Sequence, residues 1–149
     1  MKKVLSLPLL VAAAVLSLSS CADKPVSTSS LSPMEKGLLN ALNAHRAGMG
    51  KTQLEPTESL TTLARADAAR RAGTGDGYQK NRDRTGYERM LTLAGKAAPG
   101  ETFGYTLLGY WLDNPVQKKW LEGSYANVGV GTATGKEGLE NGVLLLGGF

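Results

Sequence analysis

The sequence is short of the residues that most often announce chemistry. Among 149 residues it has one cysteine, Cys21, and one histidine, His45. A single thiol forbids a disulfide within the chain, so the fold must be held by its core. His45 sits beside Arg46 within a predicted helix. A general base needs a partner nucleophile or an acid to act with, and none is paired with it in sequence. A packing or surface role is therefore expected of it. Long apolar runs are also scarce: the only one, Val4 to Leu18, is too short to span a bilayer comfortably. Net charge is +4, and it falls to +2 without Lys2 and Lys3 because residues 1–20 carry no acid. The basicity gives no ground for a nucleic-acid partner. No internal repeat is visible, and no Gly-x-Ser-x-Gly elbow occurs. Gly131-Thr132-Ala133-Thr134-Gly135-Lys136 fails as a phosphate loop, because the first glycine is one residue too close and Glu137 replaces the magnesium-binding hydroxyl. Gly129-Val130-Gly131 fails as a dinucleotide fingerprint, because Thr134 takes the third glycine position.

What is present begins with an export signal. Lys2 and Lys3 precede the apolar run, which closes on Leu18-Ser19-Ser20-Cys21. That ending looks like a bacterial lipobox, in which the cysteine sulfur receives a diacylglycerol and the freed amino group is usually acylated too. Two or three acyl chains make a stable anchor where one is marginal. The expected division is residues 1–20 as signal peptide, 21–31 as lipidated cysteine and flexible Ser/Thr-rich tether, and 32–149 as one domain. The 129 residues left after the first 20 suffice for a single core. The working place is then a membrane surface on the periplasmic or extracellular side. Ala22 rather than Asp follows the cysteine, which points to the outer membrane where the source has two.

Local signals give an α+β order, helices first and strands last. Ser32-Pro33-Met34-Glu35 reads as a capping box with proline at the first helical position, and Gly48 as the stop. A second helix is expected from Thr57 to Ala72, with Leu60, Leu63, Ala64 and Ala68 as its stripe and Gly73 as its end. Gly73 to Gly86 reads as a loop containing Lys80, Arg82 and Arg84. A short helix is expected from Tyr87 to Ala94 and a turn from Lys96 to Gly100. Thr106 to Leu112 fits a buried helix, and Asn114-Pro115 starts another through Trp120 and Leu121. Asn127–Thr134 and Val143–Phe149 read as a closing antiparallel hairpin, with Gly135–Gly138 and Asn141-Gly142 both as turn signals.

Five stretches, taken in order, resemble the CAP superfamily of cysteine-rich secretory, antigen-five and pathogenesis-related-one proteins. Asn43-Ala44-His45-Arg46 followed by Leu54 is similar to its Asn-x-x-Arg and leucine, and Leu60 to Ala64 to its Leu-x-x-x-Ala helix. Gly100-Glu101-Thr102-Phe103 resembles its Gly-Glu-Asn-Ile/Leu. Trp111-Leu112-Asp113-Asn114-Pro115-Val116-Gln117-Lys118 resembles Trp-x-x-Ser-Pro-x-His-Arg, and Asn127-Val128-Gly129-Val130-Gly131 the closing Gly-Val-Gly strand. The likeness runs from about Pro33 to Phe149. It implies an α-β-α sandwich with a small antiparallel sheet.

The same resemblance frames the candidate site. Family members with a metal cleft use two histidines and acidic residues; Ala72-Gly73-Thr74-Gly75 and Gln117 stand where the histidines would be, and only Glu101 remains. Imidazole or thiolate is what a zinc-type site needs, so neither a metal nor a cofactor is expected. The spacing from Glu101 to Trp111 is also shorter than the family's. Glu101, Phe103, Tyr110, Trp111 and Gln117 are the candidate cleft residues, although Phe103, Tyr110 and Trp111 form with Tyr105 and Trp120 an aromatic cluster that reads as core before it reads as a ligand groove. The reading is a lipid-anchored envelope domain that binds a partner or an apolar or amphipathic ligand. The alternative is an envelope hydrolase of peptide or wall polymer, with Glu101 as acid or base and Asp113 as the one nearby carboxylate.

Overall fold

Ser32, Pro33 and Glu35 start the first helix as their chemistry requires. In the computed structural model, which describes residues 23–74 and 86–149, the Ser32 hydroxyl accepts from the Glu35 amide at 3.1 Å. The Glu35 carboxylate accepts from the Ser32 amide at 2.9 Å. Helix α1 spans Pro33–Gly48. It is followed by β1 (Glu55–Pro56), α2 (Glu58–Thr74), β2 (Arg89–Ala97), α3 (Phe103–Asp113), α4 (Pro115–Leu121), β3 (Asn127–Thr134) and β4 (Glu140–Gly148). The stretch read as an export signal, Cys21 and the greater part of the expected loop, with Lys80, Arg82 and Arg84, lie outside the described residues.

The sheet runs β1-β3-β4-β2. Strand β4 pairs antiparallel with β3 and with all nine residues of β2. The sheet is not wholly antiparallel, because the two-residue β1 lies parallel to β3. Side-chain alternation sorts its two faces. Val128, Val130, Leu144 and Leu146 pack with Leu38 and Leu42 of α1 and with Phe103, Leu107 and Trp111 of α3. Val143 and Leu145 pack on the other face with Leu60, Ala64 and Ala68 of α2. The result is the α-β-α sandwich. Each wholly buried leucine contributes on the order of 1.5–3 kcal/mol.

Three expectations are corrected. Tyr87 to Ala94 is not a helix: the chain enters β2 at Arg89, with Leu91 and Leu93 turned to one face and Met90 and Ala94 to the other. Apolar residues occur at successive positions, Met90-Leu91 and Leu93-Ala94, so the period of two is hidden. Asn141-Gly142 is not a turn; it lies within β4, and a Cβ on Gly142 would stand 2.5 Å from Leu107 and 2.9 Å from Phe103. The glycine makes room for α3. The tether, finally, is fixed to the domain from Asp23 on. Asp23 accepts from the Ser59 amide at 3.1 Å, the Val26 amide bonds Pro56, and Leu31 is buried. The other elements fall close to expectation. Asn114 caps α4 through the Val116 and Gln117 amides, and α2 carries its last turn past Gly73 to Thr74.

Helices α1 and α3 cross where Gly104 meets the backbone of Gly37. A Cβ on Gly104 would lie 2.3 Å from the Gly37 carbonyl oxygen, whereas one on Gly37 would meet nothing within 4 Å. Gly104→Ala should therefore cost about 1–3 kcal/mol by forcing the helices apart. Gly37→Ala should gain up to about 1 kcal/mol from helix propensity alone. Thermal unfolding of the two variants checks this, and equal effects would contradict the close crossing.

Candidate functional site

The candidate cleft residues do not gather. Phe103 and Trp111 are core side chains, 1% and 2% exposed, and the Trp111 indole donates to the Ala94 carbonyl at 3.2 Å. Tyr110 is turned to solvent at 58% exposure. Glu101 lies on the exposed turn before α3, and Gln117 on α4 is half-buried beyond the far end of that helix. An eleven-residue helix separates the last two by about 16 Å along its axis. The structure thus corrects the grouping: a helix that faces the sheet must bury Phe103 and Trp111, which leaves no groove between them.

Two residues of the Asn-x-x-Arg stretch prove to be structural. Asn43 clamps Leu54 from both sides, donating to its carbonyl at 3.0 Å and accepting from its amide at 2.8 Å. Arg46 is 2% exposed and donates to the carbonyls of Thr52, Leu121 and Gly123. Burial pulls its guanidinium below the ordinary arginine value, and a carbonyl cage holds the charge. His45, on the flank of the same helix, lies 3.2 Å from Glu122. These contacts tie α1 to the segments around it.

The cleft forms elsewhere, at the end of the domain that holds the β3–β4 hairpin. It has a volume of ≈ 790 Å³ between the start of α1, the middle of α2 and the hairpin. Ser32, Glu35, Arg65, Thr132, Thr134 and Glu140 supply its polar wall; Leu31, Pro33, Met34, Pro99 and Ala133 supply the apolar part. Two buried carboxylates meet it, Glu35 at 3% and Glu140 at 6% exposure. They are treated differently. Glu35 receives Arg65 through both oxygens, Nε at 2.7 Å and Nη2 at 2.8 Å, in addition to its capping bond. The same pair raises the Arg65 guanidinium further above its usual value, the hydrogen bond it donates to Glu35 being the largest cause. Glu140 accepts only the Thr134 hydroxyl, at 2.7 Å, and makes no ion pair among the described residues.

Sequence reasoning read Glu35 as a cap and missed Glu140, Arg65 and the two threonines. One signal was available for Glu140. It shares the face of β4 that buries Leu144 and Leu146, so a charge stood in an inward register.

Asp23 marks the opposite end of the sheet. Burial alone would raise its carboxyl, but hydrogen bonds from Ser59, Thr57 and Tyr87 together hold it below the ordinary carboxylate value. The Tyr87 hydroxyl lies 3.1 Å from both Asp23 and Asn127, and burial raises its own pKa.

Residues 39–146 match the model of the cysteine-rich secretory protein family, CAP. Among solved structures, an outer surface protein from Borrelia burgdorferi superposes with a TM-score of 0.62 at 14% identity. The match covers 85% of this chain and 98% of that one. At that identity the likeness is one of fold. No curated protein sequence matches the chain.

Two outcomes follow from these contacts. Arg65→Ala leaves a buried carboxylate without its partner and should cost about 1.5–3 kcal/mol in urea unfolding; an unchanged midpoint would show that the pair holds nothing. A carboxyl depressed in the folded state stabilises fully above its unfolded pKa, and that contribution is lost as pH falls through the lower folded value. Amide exchange at Val26 and Glu58, whose bonds hold the docked segment, should therefore accelerate as pH drops below 3.8, beyond the intrinsic pH effect. In Asp23→Asn that extra acceleration should vanish.

Proposed function

The chain belongs to the CAP family, and from that premise we propose that it is a lipid-anchored protein of the cell envelope. Its CAP domain binds an amphipathic ligand, or a partner presenting one, in the hairpin-end cleft. The observation that carries this reading is Glu140, a buried carboxylate facing an open cleft with a single hydroxyl for company. Its second carboxylate oxygen is not sealed off from the opening, so a ligand that brings an amine or hydroxyl donor can bond it there. The apolar wall of Leu31, Met34 and Pro99 suits the remainder of such a molecule.

The lipobox-like Leu18-Ser19-Ser20-Cys21 supports the anchor. The fold neighbour is titled an outer surface protein, which accords with an envelope setting. The family's histidine-bearing metal site does not fit these residues. Gln117 occupies one histidine position. The single histidine, His45, lies about 15 Å along α1 from the cleft and faces Glu122. Among the described residues no three of His, Cys, Asp and Glu converge on a point where an ion would sit.

Hydrolysis with Glu101 as acid or base has less behind it. Glu101 is exposed, and Asp113 lies at the other end of α3, too far to share a substrate bond. Binding without turnover is the reading the geometry supports.

Native mass spectrometry of the full chain extracted from envelopes tests it. The wild type should carry a co-purifying mass that Glu140→Gln loses or holds about tenfold more weakly. If neither a ligand nor an envelope crosslink accompanies the wild type, the binding reading fails. If peptidoglycan or peptide is turned over and Glu101→Gln abolishes it, the hydrolase replaces it.

A further inference from the structure

A second groove lies at the Asp23 end of the sheet, and its chemistry differs from that of the cleft. It measures ≈ 620 Å³ between the edge strand β2, helix α4 and the loop that follows. Arg89 and Lys119 supply two cations, Trp120 and Tyr125 two aromatic rings, and Leu91 and Val116 an apolar floor and rim. Among the described residues no acidic side chain lines it. Glu122, the nearest acid in sequence to Lys119, faces His45 instead. Arg89 is held in place, with its guanidinium 5.0 Å above the Tyr125 ring and one nitrogen donating to the Ser124 carbonyl at 2.6 Å. Lys119 is exposed and forms no ion pair among the described residues. Val116 at the rim is 56% exposed. A groove with this lining complements an anion that carries an apolar body.

Its position names the source of that anion. Asp23, fixed on Ser59 and Tyr87, lies two residues after Cys21 in sequence, so a lipid on that cysteine would tether the domain by this corner with little chain to spare. Tyr87 stacks on Phe149 at 5.1 Å, Phe149 follows Gly148, and Gly148 pairs with Arg89. These contacts connect the anchored corner to the groove without a break. Phe149 itself is 79% exposed. We propose that the Arg89–Lys119 groove seats the headgroup of an anionic phospholipid of the membrane in which Cys21 is anchored, holding this end of the domain against the bilayer. The placement rests on the anchor reading, whereas the groove's preference for an anionic lipid does not.

The test uses the full chain, exported and processed in a bacterium and reconstituted in vesicles of phosphatidylcholine with a minor fraction of phosphatidylglycerol. Two vesicle sets have the same composition and the same amount of brominated lipid. In one the bromine is on phosphatidylglycerol, in the other on phosphatidylcholine. Tryptophan emission should be quenched about twofold more in the first set. Trp120→Phe should remove the difference, since Trp111 is core, and Lys119→Gln should bring the ratio to one. Excess inorganic phosphate should leave it unchanged. Equal quenching in both sets overturns the proposal, as does loss of the difference on adding phosphate, which would mark a free-anion site. Intact mass of the same preparation reports the acyl groups on Cys21. A non-acylated chain that keeps the preference would sink the anchor and the placement while leaving the groove standing.

Discussion

The structure depends on the backbone of α2 lying directly on β3. Gly129 and Gly131 make this possible: a Cβ at either would fall 2.1 Å from the Leu60 carbonyl oxygen or 2.2 Å from the Ala64 backbone. Only glycine on the strand allows that approach. With α2 set so low, Arg65 reaches round the sheet edge to Glu35 on α1, and Ser59 reaches Asp23. The cleft wall and the docked N-terminal segment therefore share one packing constraint. The Gly-Val-Gly run that resembles a family signature is, physically, the imprint of this contact.

A second consequence is polarity along the sheet. Strand β3 starts beside Tyr87 and the α4–β3 loop and ends at the hairpin, eight residues and about 25 Å away. The groove with two cations lies at the first end and the cleft with two buried carboxylates at the other. A domain held near Asp23 with almost no slack would present its acidic cleft away from the bilayer. Length of tether, usually a matter of reach, here becomes a matter of orientation.

Much of this was legible in the residues and some was not, for physical reasons. α1 and α4 were readable because capping is local: Ser32 and Asn114 act on amides within three residues of themselves. β2 was not, because a strand with apolar residues at successive positions and rich in Ala, Gly and Leu has no pattern that separates it from a short helix. Asn141-Gly142 misled for a different reason. Gly142 is there for Phe103 and Leu107, which are distant in sequence, while the turn is made one signal earlier at Gly138 with its positive φ. For the site, Glu101 stood out by resemblance, whereas Glu35 and Glu140 become a pair only when α1 and the hairpin meet. Nothing local in the chain records that meeting.

The central claim is that recognition occurs at the hairpin-end cleft and not along α3. Hydrogen exchange of the full chain, with and without an envelope lipid and wall extract, distinguishes the two directly. Slowed exchange at 30–35 and 132–140 is the expected result. Slowing confined to 101–117, with the cleft segments unchanged, would contradict it.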